Sequence, residues 1–391
     1  MAEPAAYLIV ALSGRALAVA AARAGRHVYV LDLFGDTDTR SHAVDSVVVE
    51  GSLERGFDEA ALLAAAEHLA PASSPPAYGL VYGSGLEDRP RLLAKLCRGR
   101  RLYGNRPETI DLTKDPRAFF GLLDRLAIPH PAVSFAPPAD PSGWLVKRIG
   151  ASGGSHVAPA TAAAMEDRPD HYYQRRLPGR TVGASFLADG RRGLLLGFSE
   201  QWVWPGSGAA SFRFGGALQP APIGEKLVKE IAALLDALVR EIGLVGLNSL
   251  DMLVEGDGFA VIEVNPRPGA NLDIFDGADP VGLFELHLRA CEGELPDRRH
   301  AAPQATAMAV VYADRPSLVP IGTRWPDWVA DRPAPGGRIE AGAPVCTVLA
   351  SAPTAAAVRA LADRRVAAVL SQLQADEVAS GLPHSSAAAN G

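Results

Sequence analysis

Lysine, cysteine and long apolar runs are what this 391-residue chain has least of. Its three cysteines, Cys97, Cys291 and Cys346, are odd in number and far apart, so neither a disulfide framework nor a CxxC metal site is supported. No apolar run reaches the ~18 residues of a membrane span, and the N-terminus has no basic-then-apolar leader. The expectation is a soluble, cytoplasmic protein of a reducing compartment, with no membrane partner. Basic residues are scattered and the formal net charge is −6, so no nucleic-acid partner is expected. A single glycine, Gly14, follows the first apolar run where a dinucleotide site needs GxGxxG, which argues against NAD. No credible Ser-His-Asp or Cys-His set is present. Only five of the 38 basic residues are lysine: Lys95, Lys114, Lys147, Lys226 and Lys229. A chain that otherwise uses arginine keeps lysine where a compact ammonium on a flexible stem is required.

Apolar residues make up 48%, enough for real cores, and the length suits two or three domains. The fold class expected is α/β plus α+β. Residues 1–107 read as a Rossmann-like, doubly wound domain. Tyr7 to Leu12 is a strand, a helical stretch runs to Ala24, Gly25 stops it, and His27 to Leu31 is the next strand, ending in Asp32. A strand from Ala43 to Glu50, a helix from Phe57 to Leu69 and a strand from Gly79 to Tyr82 continue the alternation. The loops at Ser13–Arg15 and Gly83–Glu87 would lie at carboxyl ends of parallel strands, where such sheets bind ligands.

Asp115 is placed to cap, and Pro116 to open, a helix with Phe119, Phe120, Leu122, Leu123 and Leu126 on its apolar face. Trp144 to Arg148 is a strand, followed by the Gly/Ser loop from Gly150 to Ser155. A lysine just before such a loop, Lys147, can face an anion together with the loop amides. His171 to Gln174 is a strand running into a turn at Pro178-Gly179, and Val182–Leu187 with Gly193–Ser199 reads as a hairpin. Glu225 to Ile242 is a long helix with Leu227, Ile231, Leu234, Leu235, Leu238 and Ile242 on one face. From about residue 301 the texture changes to strands at Thr306–Tyr312 and Pro344–Leu349, a turn-rich stretch from Trp325, and a helix over Thr354–Gln374. This is a small α+β closing unit, 301–375. Residues 376–391 are Ser/Ala/Gly-rich and read as a disordered tail.

The most informative stretch runs from Asp251 to Glu263-Val264-Asn265-Pro266-Arg267. Leu250–Val254 and Phe259–Val264 read as strands, and the Glu-Gly-Asp-Gly between them is turn chemistry, so the pair is a hairpin. With a loop of Gly256-Asp257-Gly258, Asp251 faces Glu263 directly. Like charges opposed across a ladder destabilise it. A bound cation removes that cost. Asn265, two residues past Glu263, points to the same face. Two carboxylates and a carbonyl oxygen form the hard-oxygen set that Mg²⁺ takes when phosphates complete its shell.

Together these pieces resemble the ATP-grasp superfamily over roughly residues 1–350, and within it the carboligases related to biotin carboxylase. The resemblance implies a pre-ATP-grasp domain at 1–107, an ATP-grasp domain of two α+β subdomains at 108–300, and the C-terminal unit. It implies that Asp251, Glu263 and Asn265 hold two Mg²⁺ ions, with Mn²⁺ an alternative, against the phosphates of ATP. Arg267 then faces the transferred phosphoryl group or the substrate. Lys147 fits the strand lysine on the α/β-phosphates, and Lys114 an earlier nucleotide-contacting lysine. Gly150, Ser152, Gly153, Gly154 and Ser155 fit the lid loop. Gln174, Arg175 and Leu177 fall where the adenine pocket is lined. The chain departs from the family at Gln174 and Thr181, where many members carry acids that touch adenine or ribose. Base selectivity is therefore less well supported than phosphate binding. Arg15, Gly83, Ser84, Glu87, Arg213 and Arg267 are the expected substrate contacts.

The activity implied is that of a ligase joining a small-molecule carboxylate to an amine through an acyl phosphate, with Lys147 and Arg267 as catalytic cations. Similar proteins in methanogens and methylotrophs point to biosynthesis of a one-carbon carrier of methanopterin or methanofuran type. A bicarbonate-dependent carboxylase of the same superfamily and a catalytically weak ATP-binding regulatory protein are the competing readings. A homodimer is the default assembly.

Overall fold

The computed structural model describes residues 4–74, 77–151, 153–161, 168–206, 212–298, 300 and 302–379, with side chains as far as 374. The chain opens with β1 (Tyr7–Val10), α1 (Arg15–Arg23), β2 (Val28–Asp32), α2 (Thr37–His42) and β3 (Asp45–Val48). A short ribbon of β4 (Gly51–Ser52) and β5 (Gly56–Phe57) leads to α3 (Glu59–Leu69), β6 (Gly79–Tyr82), α4 (Pro90–Leu96) and β7 (Arg101–Tyr103). Five of these strands form a parallel sheet in the order β3-β2-β1-β6-β7. β1 and β6 are buried along their whole length, which is why both read as unbroken apolar runs. Strand order reverses between them, so the loops after β1 and β6 flank the crevice where such sheets bind ligands. Here those loops close on each other: Leu12 N donates to Ser84 O at 2.8 Å, and Gly83 N to Val10 O at 2.9 Å.

After α5 (Pro107–Lys114) and α6 (Pro116–Arg125) comes a small antiparallel sheet. It contains β8 (Val133–Ser134), β9 (Trp144–Arg148), β10 (Val157–Pro159) and β11 (His171–Arg175), in the order β10-β9-β11-β8. The Asp115 carboxylate caps α6, accepting from Arg117 N at 2.8 Å. A larger antiparallel sheet is built from β12 (Arg180–Asp189), β13 (Gly193–Val203), β14 (Phe214–Gln219), β15 (Val245–Glu255) and β16 (Gly258–Asn265), with α7 (Glu225–Ile242) packed on it. All six apolar residues expected on one face of α7 are buried. Each contributes ~1.5–3 kcal/mol by leaving water. Gly243, at φ 75°, ends the helix.

α8 (Leu272–Phe275) and α9 (Leu283–Cys291) precede β17 (Ala305–Tyr312), β18 (Ser317–Leu318), β19 (Val329–Ala330), β20 (Arg338–Ile339), β21 (Pro344–Ala352) and α10 (Ala355–Ala379). These C-terminal strands are not a separate layer. Gly216–Gln219 of β14 pairs with Thr306–Ala309 of β17. The result is one eight-stranded sheet in the order β16-β15-β12-β13-β14-β17-β21-β19. α10 continues to Ala379, into the stretch read as a disordered tail, and 380–391 lie outside the described residues. Among the described residues no helix is long and apolar enough to cross a membrane.

Charges fasten the parallel sheet to the large one. Arg15, expected to face substrate, is only 4% exposed and is engaged elsewhere. Its Nη2 donates to Asp273 Oδ2 on α8 at 2.7 Å, and its Nε to Asp331 Oδ1 at 3.0 Å. Asp38 in turn accepts from the backbone N–H groups of Asp331 and Arg332, at 2.9 Å each. A buried guanidinium needs such partners, because an uncompensated charge in the interior is costly.

Asp36 lies in the same seam, 4% exposed, and its Oδ2 has no hydrogen-bond partner among the described residues. Burial first, then Asp331, Asp32 and Asp38, push its carboxyl up to about 8 from the ordinary 3.8. The folded chain therefore holds a proton at neutral pH that the unfolded chain has lost. That contribution to stability is fully present below 3.8 and drains away as pH rises towards 8. Asp36→Asn should be more stable than the parent, by a margin that widens from about pH 5 to pH 8 by on the order of 1 kcal/mol per unit. Urea melts at both pH values measure it. Equal margins would mean that Asp36 is ionised in the fold.

Candidate functional site

Asp251 and Glu263 do face each other across β15 and β16, and Ser249 faces Asn265. The route to that register differs from the expected one. Glu255 pairs with Gly258, so the loop is the two residues Gly256-Asp257 and not three. Gly256, at φ 57°, supplies the left-handed conformation such a tight turn demands. A bulge beside Met252 then adds the residue back, because Met252 opposes Val261 while Asp251 opposes Glu263, leaving Ile262 unpaired. The two one-residue departures cancel. Without the bulge, the slip would turn one set of polar side chains to the opposite face.

Both oxygens of Asp251 accept from amides: Oδ1 from Gln201 Nε2 at 2.8 Å and Oδ2 from Asn265 Nδ2 at 2.9 Å. Lys114 Nζ, at the end of α5, donates to Asn265 Oδ1 at 3.0 Å and lies 3.9 Å from Glu263 Oε2. Burial, then the nearby Glu263, holds Asp251 above the usual carboxylate range. Burial acts the same way on Glu263, but Lys114, Lys147 and His156 outweigh it and keep Glu263 below its usual range. The pair thus carries a repulsion that a cation would relieve. Among the described residues no group of three or more His, Cys, Asp or Glu side chains could hold a metal by itself. Two carboxylates and an amide carbonyl instead suit an ion whose remaining ligands are phosphate oxygens.

Gln201 reaches Asp251 over Gly183 on β12. A Cβ at Gly183 would come within 2.7 Å of Gln201 Nε2 and 3.2 Å of Asp251 Oδ1. Gly183→Ala should therefore keep the fold but weaken Mg²⁺ binding in the presence of nucleotide by about tenfold, since groups that orient metal ligands typically carry effects of that size. Calorimetric Mg²⁺ titration checks this. An unchanged affinity would show that the Gln201 contact has no part in the site.

Lys147, on β9, is buried, and its Nζ donates to Gln174 Oε1 at 3.1 Å. Burial lowers its pKa, against the pull of Glu263. The Gly/Ser loop after β9 is seated: Phe214 N donates to Gly153 O at 3.1 Å, Gly154 lies against the Phe212 backbone, and Gly150 packs on Asp88. Ser155 is exposed, and Ser152 lies outside the described residues. Arg175 turns outward to Ser142 O at 2.9 Å, and Leu177 is half-buried.

Arg267 is 8% exposed, and its Nε donates to Glu87 Oε1 at 2.5 Å. Glu87 Oε2 accepts from the backbone of Gly85 at 2.6 Å and Leu86 at 3.1 Å. Glu87, expected to meet substrate, is thus spent on holding Arg267 in the crevice beside β6. Gly83 and Ser84 contribute backbone bonds between the two loops. Tyr82 and Asn105 both donate to Pro266 O, at 3.1 and 2.9 Å, fixing the turn that presents Arg267. Arg213 is drawn away from the carboxylates: it donates to Gly342 O and lies over the rings of Trp204 and Tyr312, at 5.6 and 5.3 Å. The structure therefore gathers Asp251, Glu263, Asn265, Lys114, Lys147 and Gln174, with Arg267 and Glu87 beside them. Arg15 and Arg213 are occupied elsewhere. Sequence reading missed Gln201 and His156. The alternation of β13 opposite Gly183 was a signal for the first, and nothing marked the second.

Residues 114–271 match the ATP-grasp domain family. The carbamoyl phosphate synthase large chain of Rubrobacter xylanophilus is 26% identical over 240 residues, which are 55% of this chain and 22% of that protein. That of Thermotoga neapolitana is 25% identical over 243 residues, 56% and 21% of the two. This chain spans about a fifth of the length of these relatives. Among solved structures, the biotin carboxylase domain of Hydrogenobacter thermophilus 2-oxoglutarate carboxylase, crystallised with MgADP and bicarbonate, superposes with a TM-score of 0.69 at 12% identity, covering 90% of this chain and 87% of that one. The ADP complex of the N5-carboxyaminoimidazole ribonucleotide synthetase PurK gives 0.66 at 16% identity, covering 96% and 99%. Residues 114–271 therefore form an ATP-grasp domain, and the chain around it shares the fold of biotin carboxylase and PurK.

Proposed function

We propose that this chain is an ATP- and Mg²⁺-dependent ligase that activates a carboxylate as an acyl phosphate and passes the acyl group to an amine. The observation that carries the proposal is Asp251 facing Glu263 beside Asn265, with Lys114 and Lys147 directed at the same pair. A carboxylate is a poor electrophile. Moving the γ-phosphoryl group onto its oxygen creates a phosphate leaving group. Attack by the amine then forms the C–N bond, breaks the C–O bond and releases phosphate and a proton. Mg²⁺, when bound, would neutralise charge developing on the phosphates, and Asp251, Glu263 and Asn265 are the residues that would hold the two ions.

The other side chains bind and orient. Lys114 and Lys147 fix the phosphates. Arg267, its Nε committed to Glu87, keeps a terminal nitrogen for the carboxylate or the moving phosphoryl group, a planar task that suits guanidinium. To Gly150, Gly153, Gly154 and Ser155 we assign the task of keeping water from the acyl phosphate. The substrates proposed are acids and amines of one-carbon carriers of methanopterin or methanofuran type, and the assembly a homodimer, as in the dimeric biotin carboxylase domain.

Purified protein with ATP, Mg²⁺, hydroxylamine and a panel of such acids should yield a hydroxamate and ADP. A second reading, with bicarbonate as the carboxylate activated, is favoured by the fold shared with biotin carboxylase. It requires ADP release that bicarbonate stimulates and that needs no amine. ADP release under neither condition would count against both readings.

A further inference from the structure

Asp36 stands where the parallel sheet meets the C-terminal strands. α2, which it precedes, is fastened across that seam by the next two residues. Thr37 donates to Arg332 O twice, from its backbone N at 2.9 Å and from its hydroxyl at 3.2 Å, and Asp38 accepts from the amides of Asp331 and Arg332. Asp331 itself sits at φ 54°, a left-handed conformation that a residue other than glycine keeps only where its surroundings impose it. Ser13 Oγ and Arg15 Nη2, each at 3.1 Å, hold its carboxylate there. The Asp36 side chain makes none of these bonds. Its Oδ2 and the hydroxyl of Thr39, in the first turn of α2, are both buried without a hydrogen-bond partner among the described residues.

The charges around that carboxyl are nearly all of its own sign. Facing Asp36 are Asp331 from the loop after β19, Asp32 from the end of β2 and Asp38 from α2, with the buried Cys346 thiol of β21 in the same cluster. Arg15 of α1 is the one cation facing it, and that guanidinium is already shared between Asp273 and Asp331. Asp32 is satisfied by the amides of Gly14, Phe34 and Gly35. Among the described residues no three such carboxylates converge on a metal position. A proton is therefore what neutralises Asp36, in keeping with a carboxyl pushed up to about 8 by burial and its neighbours. Once ionised, Asp36 reaches water if α2 parts from the loop at Asp331. The helix has six residues and shares no strand pairing with that loop, so the bonds of Thr37 and Asp38 are what parting breaks, and Asp331 is then free to leave its left-handed conformation. We propose that Asp36 is a proton-held latch: while it keeps its proton, α2 stays fastened to Asp331 and Arg332, and loss of the proton opens this seam with the sheets on either side still folded.

In the opened seam Asp36 returns towards its ordinary 3.8, so opening should become easier by about tenfold per pH unit from about pH 5 to about pH 8 and level off above that. Hydrogen exchange of the full chain reads this at the amides of Thr37, Asp331 and Arg332, corrected for the intrinsic pH dependence of exchange. The amides of α7, in the core of the large sheet, report unfolding of the whole chain. In the parent the three seam amides should lose protection at that rate, and at each pH they should exchange at least about tenfold faster than α7. Asp36→Asn, which is neutral throughout, should hold their protection constant. Seam protection in the parent that is the same at both ends of the range overturns the latch. So do seam amides that exchange only as fast as α7, since the opening is then unfolding of the whole chain, and an Asp36→Asn profile that follows the parent, since the proton then belongs to another group. If Asp36→Asn does not fold, the parent profile set against α7 decides alone.

Discussion

Glu263→Gln and Asp251→Ala should each lower nucleotide-dependent turnover by about 10²–10³-fold, the scale on which lost transition-state charge stabilisation is felt. Glu263→Gln relieves the repulsion on Asp251 but takes from Lys114 and the buried Lys147 the counter-charge that keeps Glu263 below its usual range, so its melting temperature without Mg²⁺ should fall below that of the parent. Asp251→Ala differs, because Gln201 Nε2 and Asn265 Nδ2 lose their shared acceptor, which offsets the relief. Both variants should lose the rise in melting temperature that Mg²⁺ with nucleotide gives the parent. Thermal melts with and without Mg²⁺ and nucleotide, run beside turnover assays, separate these effects. Turnover retained in both variants would sink the metal assignment.

Glu87→Ala should be the most destabilising single change near the site, by ~3–5 kcal/mol, because it takes from the buried guanidinium of Arg267 its one hydrogen-bonded counter-charge among the described residues. It also takes the acceptor from the amides of Gly85 and Leu86. Glu87→Gln keeps the shape and one acceptor oxygen, so its stability loss should be smaller. Its turnover should still fall, by on the order of tenfold or more, since Arg267 is no longer held by charge at Nε. A fall in kcat that exceeds any rise in KM would place the effect on orientation of Arg267, not on substrate affinity. Urea denaturation of the Ala variant within 1 kcal/mol of the parent (about the size of a surface change) would mean that Arg267 reaches water when unpaired.

The parts of this fold that were legible were those where one local period decides. α7 begins at Glu225 and ends at Ile242 as read, because its apolar residues recur at helical spacing and Gly243 stops it. The strand from Gly79 to Tyr82 was read from an unbroken apolar run. The opposition of Asp251 and Glu263 was anticipated on a wrong turn length, and it held because the bulge at Ile262 compensates, a feature with no sequence mark of its own. Pairings over long separations were not legible. Arg15 finds Asp273 258 positions away, and Arg267 finds Glu87 180 positions away. An arginine in a loop announces a charge, but the partner is set by how layers stack. The edge where β14 meets β17 was hidden for another reason: β14 begins Phe214-Gly215-Gly216, and glycine gives little sign of a strand.

That edge has a mechanical consequence. Backbone pairing runs unbroken from β16, which carries Glu263 and Asn265, through to β21 and β19. Arg15 and Asp38 clamp the parallel sheet to the loop at Asp331 that leaves β19. These two sheets and their helices are tied into a single stiff frame. The small sheet is tied differently. It meets the frame through packing of Tyr172, through hydrogen bonds from Val261 N to Pro129 O at 2.8 Å and from Phe214 N to Gly153 O at 3.1 Å, and through Gly150 against Asp88, and it shares no strand pairing with the frame among the described residues. Compliance is therefore concentrated in the piece that holds Lys147 and Gln174. The carboxylates stand on the anvil, and Lys147 and Gln174 ride on the hammer.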